Sequence, residues 1–210
     1  MGEVVRKVSP LPHVPNIPEN WSFIIELPPR RDDTTVIEKS WKAELPGGLN
    51  LSGPKFSFPE GLDVNAKAQW LEESLLFVRL AVSGPATGEC ARCLANAELA
   101  ISDELMYLYH LRGLELGKDT KLQTDDGFMP VEVEHWGRTI SLVEQVWETF
   151  LAILPAKFLC RDDCAGLCQN CGNDLNNGLC SCEPMETDLR FEALRGISFA
   201  EEPNEAKNKF

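Results

Sequence analysis

Six of the chain's eight cysteines lie between Cys160 and Cys182, in the run CRDDCAGLCQNCGNDLNNGLCSC. This run limits the possible folds more than any other stretch. Leu167, Leu175 and Leu179 are the only large apolar side chains among the thiols, too few to build a core. Gly166, Gly172, Gly178 and the asparagines 170, 173, 176 and 177 instead suit tight turns with positive φ, whose backbone amides can point at sulfur. A metal ion held by thiolates is the economical way to fix such a segment, and zinc is the expected ion.

The spacing suggests how the thiols divide. Cys168-Gln-Asn-Cys171-Gly172 has the form of a zinc knuckle, and Cys180-Ser-Cys182 would close a local site across an eight-residue loop. Cys160 and Cys164 then need partners, and Cys90-Ala-Arg-Cys93 is the remaining pair. The expectation is a local tetrad (Cys168, Cys171, Cys180, Cys182) and a split tetrad (Cys90, Cys93, Cys160, Cys164). The second grouping rests on counting, which also permits one site within the six and two spare thiols. Disulfides would need an oxidising compartment. MGEVVRKVSPLPHVPNIPEN has no apolar run of signal-peptide length, and no later stretch approaches a membrane span, so a cytoplasmic protein with reduced thiols and no membrane partner is expected.

Hydrophobic residues make up 43% of the chain and charged residues 25%, enough for a real core. Proline punctuates residues 1–60, where Trp21–Leu27 and Thr34–Trp41 have strand-like composition. These segments are expected as edge strands and loops over a central sheet. Residues 61–155 are expected to form an antiparallel β core. Leu75–Val82 reads as a strand and Ser83–Gly88 as a turn. Along Leu94–Leu111, Leu99, Ile101, Leu105, Tyr107, Tyr109 and Leu111 share one face, and Glu98, Ser102, Glu104 and His110 share a wet one, with Met106 and Leu108 as exceptions. The Cys90–Cys93 pair sits at the bend between these strands. Residues 113–126 read as a polar connection and Met129–Glu134 as a strand. Ser141-Leu-Val-Glu144 matches a capping box opening a helix that Pro155 ends. The cysteine module and a short helix from Asp188, capped by Thr187, fill 156–200, and 201–210 is a polar tail expected to be disordered. The fold class is α+β: an antiparallel sheet or partial barrel packed by one main helix, with a C-terminal zinc-ribbon-like module.

Cys90-Ala-Arg-Cys93-Leu94, a helix ending Ala152-Ile-Leu-Pro155, the C-x3-C-x-G-L-C-x2-C-G-x-D-L-N run ending Cys180-x-Cys182, and Asp188-Leu-Arg190 together resemble the YceD family, the large ribosomal RNA subunit accumulation proteins. The likeness spans residues 70–197. It implies a cytosolic or stromal protein needed for normal accumulation of large-subunit (23S) ribosomal RNA, with no established catalytic activity.

The residues themselves propose no reaction. His13, His110 and His135 stand far in sequence from the cysteines, and neither a Gly-rich phosphate loop nor H-E-x-x-H occurs. All-thiolate zinc is generally closed and structural, whereas catalytic zinc keeps an open position. Thiol redox chemistry at Cys90 and Cys93, with Arg92 lowering a pKa, is the enzyme-like alternative. No small-molecule substrate is expected.

The net charge is −13, from 20 basic and 33 acidic residues, which argues against broad phosphate-driven RNA binding. Two zinc tetrathiolates would formally add about −4, and Lys157 and Arg161 do not offset Asp162, Asp163 and Asp174. The expected partner is a basic ribosomal protein or assembly factor of the large subunit, with rRNA affected indirectly. The competing reading is direct RNA contact through a local patch such as Arg30-Arg31, or exposed aromatics such as Trp41 and Trp136.

Overall fold

Alternation with a period of two builds most of the structure. In the computed structural model, which describes residues 16–30, 34–50, 55–114 and 127–182, the chain divides into two compact units, Met1–Cys164 and Ala165–Phe210. The strands of the first unit are β1 (Ile24–Glu26), β2 (Ile37–Asn50), β3 (Lys55–Glu72), β4 (Leu75–Glu89), β5 (Asn96–Leu111), β6 (Met129–Val133) and β7 (Thr139–Ser141), followed by helix α1 (Val143–Ile153). Five of them form an open sheet in the order β2-β3-β4-β5-β6. Its pairings are antiparallel except β5–β6, which is parallel. β1 and β7 form a separate two-stranded antiparallel ribbon.

The inward positions of β3 (Phe56, Phe58, Leu62, Val64, Ala66, Ala68, Trp70) and β4 (Leu76, Val78, Leu80, Val82) are all buried. Helix α1 lies on this core. Its Phe150 ring stands 5.1 Å from Phe58, and Trp147 stands 5.6 Å from Trp21. Tyr107 donates to or accepts from Thr149 Oγ1 at 3.0 Å, within a buried group that includes the Gln145 carbonyl. Aromatic edges set against faces, as here, stabilise beyond the area they bury.

Three expectations are corrected. Ser83–Gly88 is not a turn: β4 runs on to Glu89, paired with β5 throughout. Pro85 is tolerated because β3 breaks register between Ser57 and Asp63, so no ladder bond is asked of the Pro85 nitrogen on that side. Gly84 is needed there too, since a Cβ would come within 2.9 Å of the Gly61 carbonyl oxygen. The C-terminal part of β5 is buried on both faces: Leu108 and His110 are as enclosed as Tyr107 and Tyr109, while Leu99 is exposed. His110 is therefore not on a wet face. The parallel neighbour β6 extends the sheet beside it, pairing His110 with Glu132. Finally, the capping box does not form. Ser141 is the last residue of β7, paired with Ile24. The helix starts one residue later, behind Leu142, which makes no side-chain cap. Leu142 is fully buried and its amide donates to the Phe23 carbonyl, so a core anchor stands where a polar cap was expected. The other end is as read: Leu154 turns to ψ 128° before Pro155.

No helix among the described residues is long and apolar enough to cross a membrane. The expected helix at 188–194, the tail at 201–210, the first ten residues and most of the 113–126 connection lie outside the described residues.

Candidate metal centres

The β4–β5 hairpin carries the first pair of thiols. Its tip is closed by Cys90 N–H donating to the Ala95 carbonyl and Leu94 N–H to the Cys90 carbonyl, both at 2.9 Å. Leu94 takes φ +60°, the only positive φ at a non-glycine among the described residues. The segment bearing Cys160 and Cys164 is tied to this tip by two hydrogen bonds and to β3 by one ring contact. Ala91 N–H donates to the Phe158 carbonyl at 2.8 Å. Arg92 Nη1 donates to the Cys164 carbonyl at 2.8 Å. The buried Phe158 ring stands 5.7 Å from Phe56, edge to face. It also lies beside Gly88, where a Cβ would reach it at 3.6 Å.

The result brings together Cys90, Cys93, Cys160 and Cys164, with all four sulfurs within 4.8 Å of one another. Cys90 Sγ is 3.8 Å from Cys164 Sγ, and Cys93 Sγ is 3.7 Å from Cys160 Sγ. A tetrahedron of sulfurs about 2.3 Å from a central zinc has edges of about 3.8 Å, whereas a disulfide needs about 2.05 Å. All eight cysteines are free. Three of these four thiols are buried and Cys160 is exposed.

In the second unit Cys168, Cys171, Cys180 and Cys182 form a like group, again within 4.8 Å. Gly172, at φ +74°, donates to the Cys168 carbonyl at 2.9 Å. This is the same four-residue closure that Leu94 makes on Cys90. Cys168 N–H donates to the Asn173 carbonyl and Leu175 N–H to the Gly166 carbonyl. The polar side chains hold the remaining turns. Asp174 accepts from Asn176 N–H at 2.9 Å and caps the 3-10 turn Leu175–Asn177, and Asn176 Oδ1 accepts from Ala165 N–H at 2.8 Å. The asparagines thus replace the missing core with local hydrogen bonds. This tetrad is more open, and Leu179 beside it is 97% exposed.

The electrostatics of the two groups match. The Cys93 amide, then that of Cys160, brings Cys90 down to about 6, and the amides of Cys171 and Asn170 bring Cys168 down to about 6. Burial, then the neighbouring Cys164 and Cys93 thiols, pushes Cys160 up to about 12. The Cys171 thiol, then burial, pushes Cys182 up to about 12. Four sulfurs around one point cannot all ionise beside one another. A dication at the centre removes that conflict, so the donor set suits a thiophilic divalent ion. No histidine or carboxylate joins either group among the described residues.

The other candidates fare differently. Trp41 is half-buried, with its ring 5.8 Å from Phe23, and Trp136 is half-buried with its ring 4.8 Å from Trp70. Neither is the exposed platform that the competing RNA reading calls for. His110 is buried and His135 exposed; His13 and Arg31 lie outside the described residues. Arg92 acts through the Cys164 carbonyl, a role that sequence did not suggest. Phe158 was missed too, although an aromatic two residues before Cys160 was the available signal.

The uncharacterized protein Rv2926c of Mycobacterium tuberculosis is 30% identical over 111 residues, which is 53% of this chain and 50% of that protein. The uncharacterized protein ML1660 of Mycobacterium leprae is 27% identical over 132 residues, 61% of this chain and 54% of that protein. The chain therefore spans about half the length of the curated relatives it matches. No solved structure gives a significant match. The family model described as large ribosomal RNA subunit accumulation protein YceD matches residues 78–198. With more than half of the chain and all eight thiols inside that match, the protein belongs to the YceD family.

Proposed function

We propose that this protein is a non-enzymatic, cytoplasmic factor supporting accumulation of the large ribosomal subunit and its 23S RNA. In this reading it works by gripping a basic ribosomal protein or assembly factor, while zinc in both tetrads gives it shape. The observation that carries the reading is the pair of closed all-sulfur tetrads. Four thiolates saturate a tetrahedral ion and leave no position for substrate or water, so the metal serves structure. Family membership supports the ribosomal setting, and the net charge of −13 favours a basic protein over a phosphate backbone as the main partner.

Two measurements test it. Elemental analysis of reductively purified protein should give close to two zinc per chain; absence of zinc ends the metal reading. A pull-down with purified large-subunit proteins and naked rRNA should retain a basic protein. Retention of rRNA alone, with no ribosomal protein, defeats the partner reading.

A further inference from the structure

The two C-x-x-C turns of this chain close alike and differ at one position. In both, the residue after the second cysteine donates its N–H to the first cysteine's carbonyl at 2.9 Å, Gly172 to Cys168 and Leu94 to Cys90. Both residues sit in the left-handed region, at φ +74° and +60°. Glycine enters that region freely, whereas a residue with a Cβ is strained there. Leu94 therefore costs its hairpin backbone energy that Gly172 spares the other turn. Burial returns little of it, because Leu94 is 62% exposed. Ala91 and Ala95 on the same tip are exposed as well. A strained backbone that holds an apolar side chain in water is disfavoured twice in the free chain. Covering the side chain removes the second cost, and the rigid tip presents it without further loss of backbone freedom.

The surroundings indicate what covers it. Where the tip joins the strands Glu89 pairs with Asn96, and two residues on Thr87 pairs with Glu98. These four residues, with Lys55 and Ser57 of β3, line a groove of about 680 Å³. Glu89 and Glu98 are exposed and have no ion-pair partner among the described residues. Asp162, on the segment tied to the tip, is exposed too. These carboxylates outnumber Lys55 and Arg92, and the Arg92 guanidinium is already committed to the Cys164 and Asp162 carbonyls.

We infer that the β4–β5 tip docks a segment of a basic protein, which sets an apolar side chain on Leu94 and its cations on Glu89 and Glu98. The inference rests on the basic-partner reading above and names the surface that does the gripping. An RNA strand would gain little from Leu94 and would be repelled by the carboxylates.

The test immobilises the full chain, purified under reducing conditions, and offers it purified large-subunit proteins together with naked rRNA. The retained protein is identified by mass spectrometry, and its affinity is measured by anisotropy at low and high salt. Wild type should retain a basic protein. Leu94→Gly should weaken that binding about tenfold or more, the worth of one buried leucine. Its zinc content and melting temperature should stay close to wild type, because glycine accepts the same backbone angle. Leu94→Asn, polar and tolerated in the left-handed region, should behave likewise. Glu89→Gln combined with Glu98→Gln should weaken binding and flatten its salt dependence. Leu179→Ser, which removes a still more exposed leucine, should change nothing. If wild type retains a basic protein and the tip variants bind it equally well, the inference falls while the basic-partner reading stands. The same holds if Leu179→Ser costs as much as Leu94→Gly. If wild type retains only rRNA, or nothing, both fall. Zinc loss or a clear drop in melting temperature in both Leu94 variants would make the residue a structural one and overturn the inference. So would self-association of the wild type that Leu94→Gly abolishes.

Discussion

Phe158→Ala separates the two tetrads. The ring is 1% exposed and packs on Phe56 and against Gly88, and it is the apolar anchor of the segment that brings Cys160 and Cys164 to the hairpin. Phe→Ala in a core costs about 3–5 kcal/mol. Taking about 4, the melting temperature of a unit this size should fall by roughly 8–16 °C. The loss is concentrated in the docking of one segment, and only the docked form presents four sulfurs. Metal affinity of the split tetrad should therefore fall by up to two or three decades, about 1.4 kcal/mol per decade. The local tetrad belongs to the other unit and should be untouched. Competition with a chromogenic chelator would then show one zinc released early and one held as in wild type. If both zinc ions keep wild-type affinity within about threefold while the protein still melts lower, Phe158 stabilises the fold without building the site, and the reasoning fails.

Cys171→Ser should remove one zinc and abolish chelator-resistant protection from proteolysis after Ala165, while the melting of the first unit moves by less than a few degrees. Complete zinc removal takes away about 10–16 kcal/mol of apparent binding energy per site, more than a small unit's own stability of about 5–15. The second unit should unfold while amide exchange in β3 and β4 stays slow. Within the first unit, which should stay folded without metal, Cys90, held at about 6, contributes stability that is present above about pH 9 and fades as pH falls through 6. Cys160, raised to about 12, contributes stability that is present below about pH 9 and fades as pH rises through 12. Urea unfolding of the metal-free protein across pH checks both. Gly48→Ala should cost at least about 2 kcal/mol in urea unfolding, since φ is +63° and the added carbon would overlap the Phe56 carbonyl oxygen.

What the sequence made legible follows from what its signals measure. Thiol spacing and count identified both groups that the fold assembles, because sulfur ligation is a matter of number and reach. Period two located β5 and the first half of β4, because burial of one face is written at every second residue, while β3 was not read as a strand. The signal failed where a neighbour supplied the second face: β6 pairs in parallel with β5, and His110 became interior. Gly84-Pro85 looked like a turn because its tolerance depends on a break in β3, twenty-odd residues upstream. The Ser141 capping box failed because pairing with Ile24 claimed the serine first. A tertiary partner decided each case, and no local window contains one.

The division of one tetrad along the chain has a bearing on biosynthesis. Cys90 and Cys93 leave the translating ribosome about seventy residues ahead of Cys164. At 5–20 residues per second, they wait roughly 4–14 s as an open, half-furnished claw. The bonds that close the tip, Cys90 N–H to the Ala95 carbonyl and Leu94 N–H to the Cys90 carbonyl, use no residue beyond Ala95, so closing the hairpin does not need the later cysteines. The order of emergence favours the native grouping, since the first thiols to meet Cys90 and Cys93 are Cys160 and Cys164.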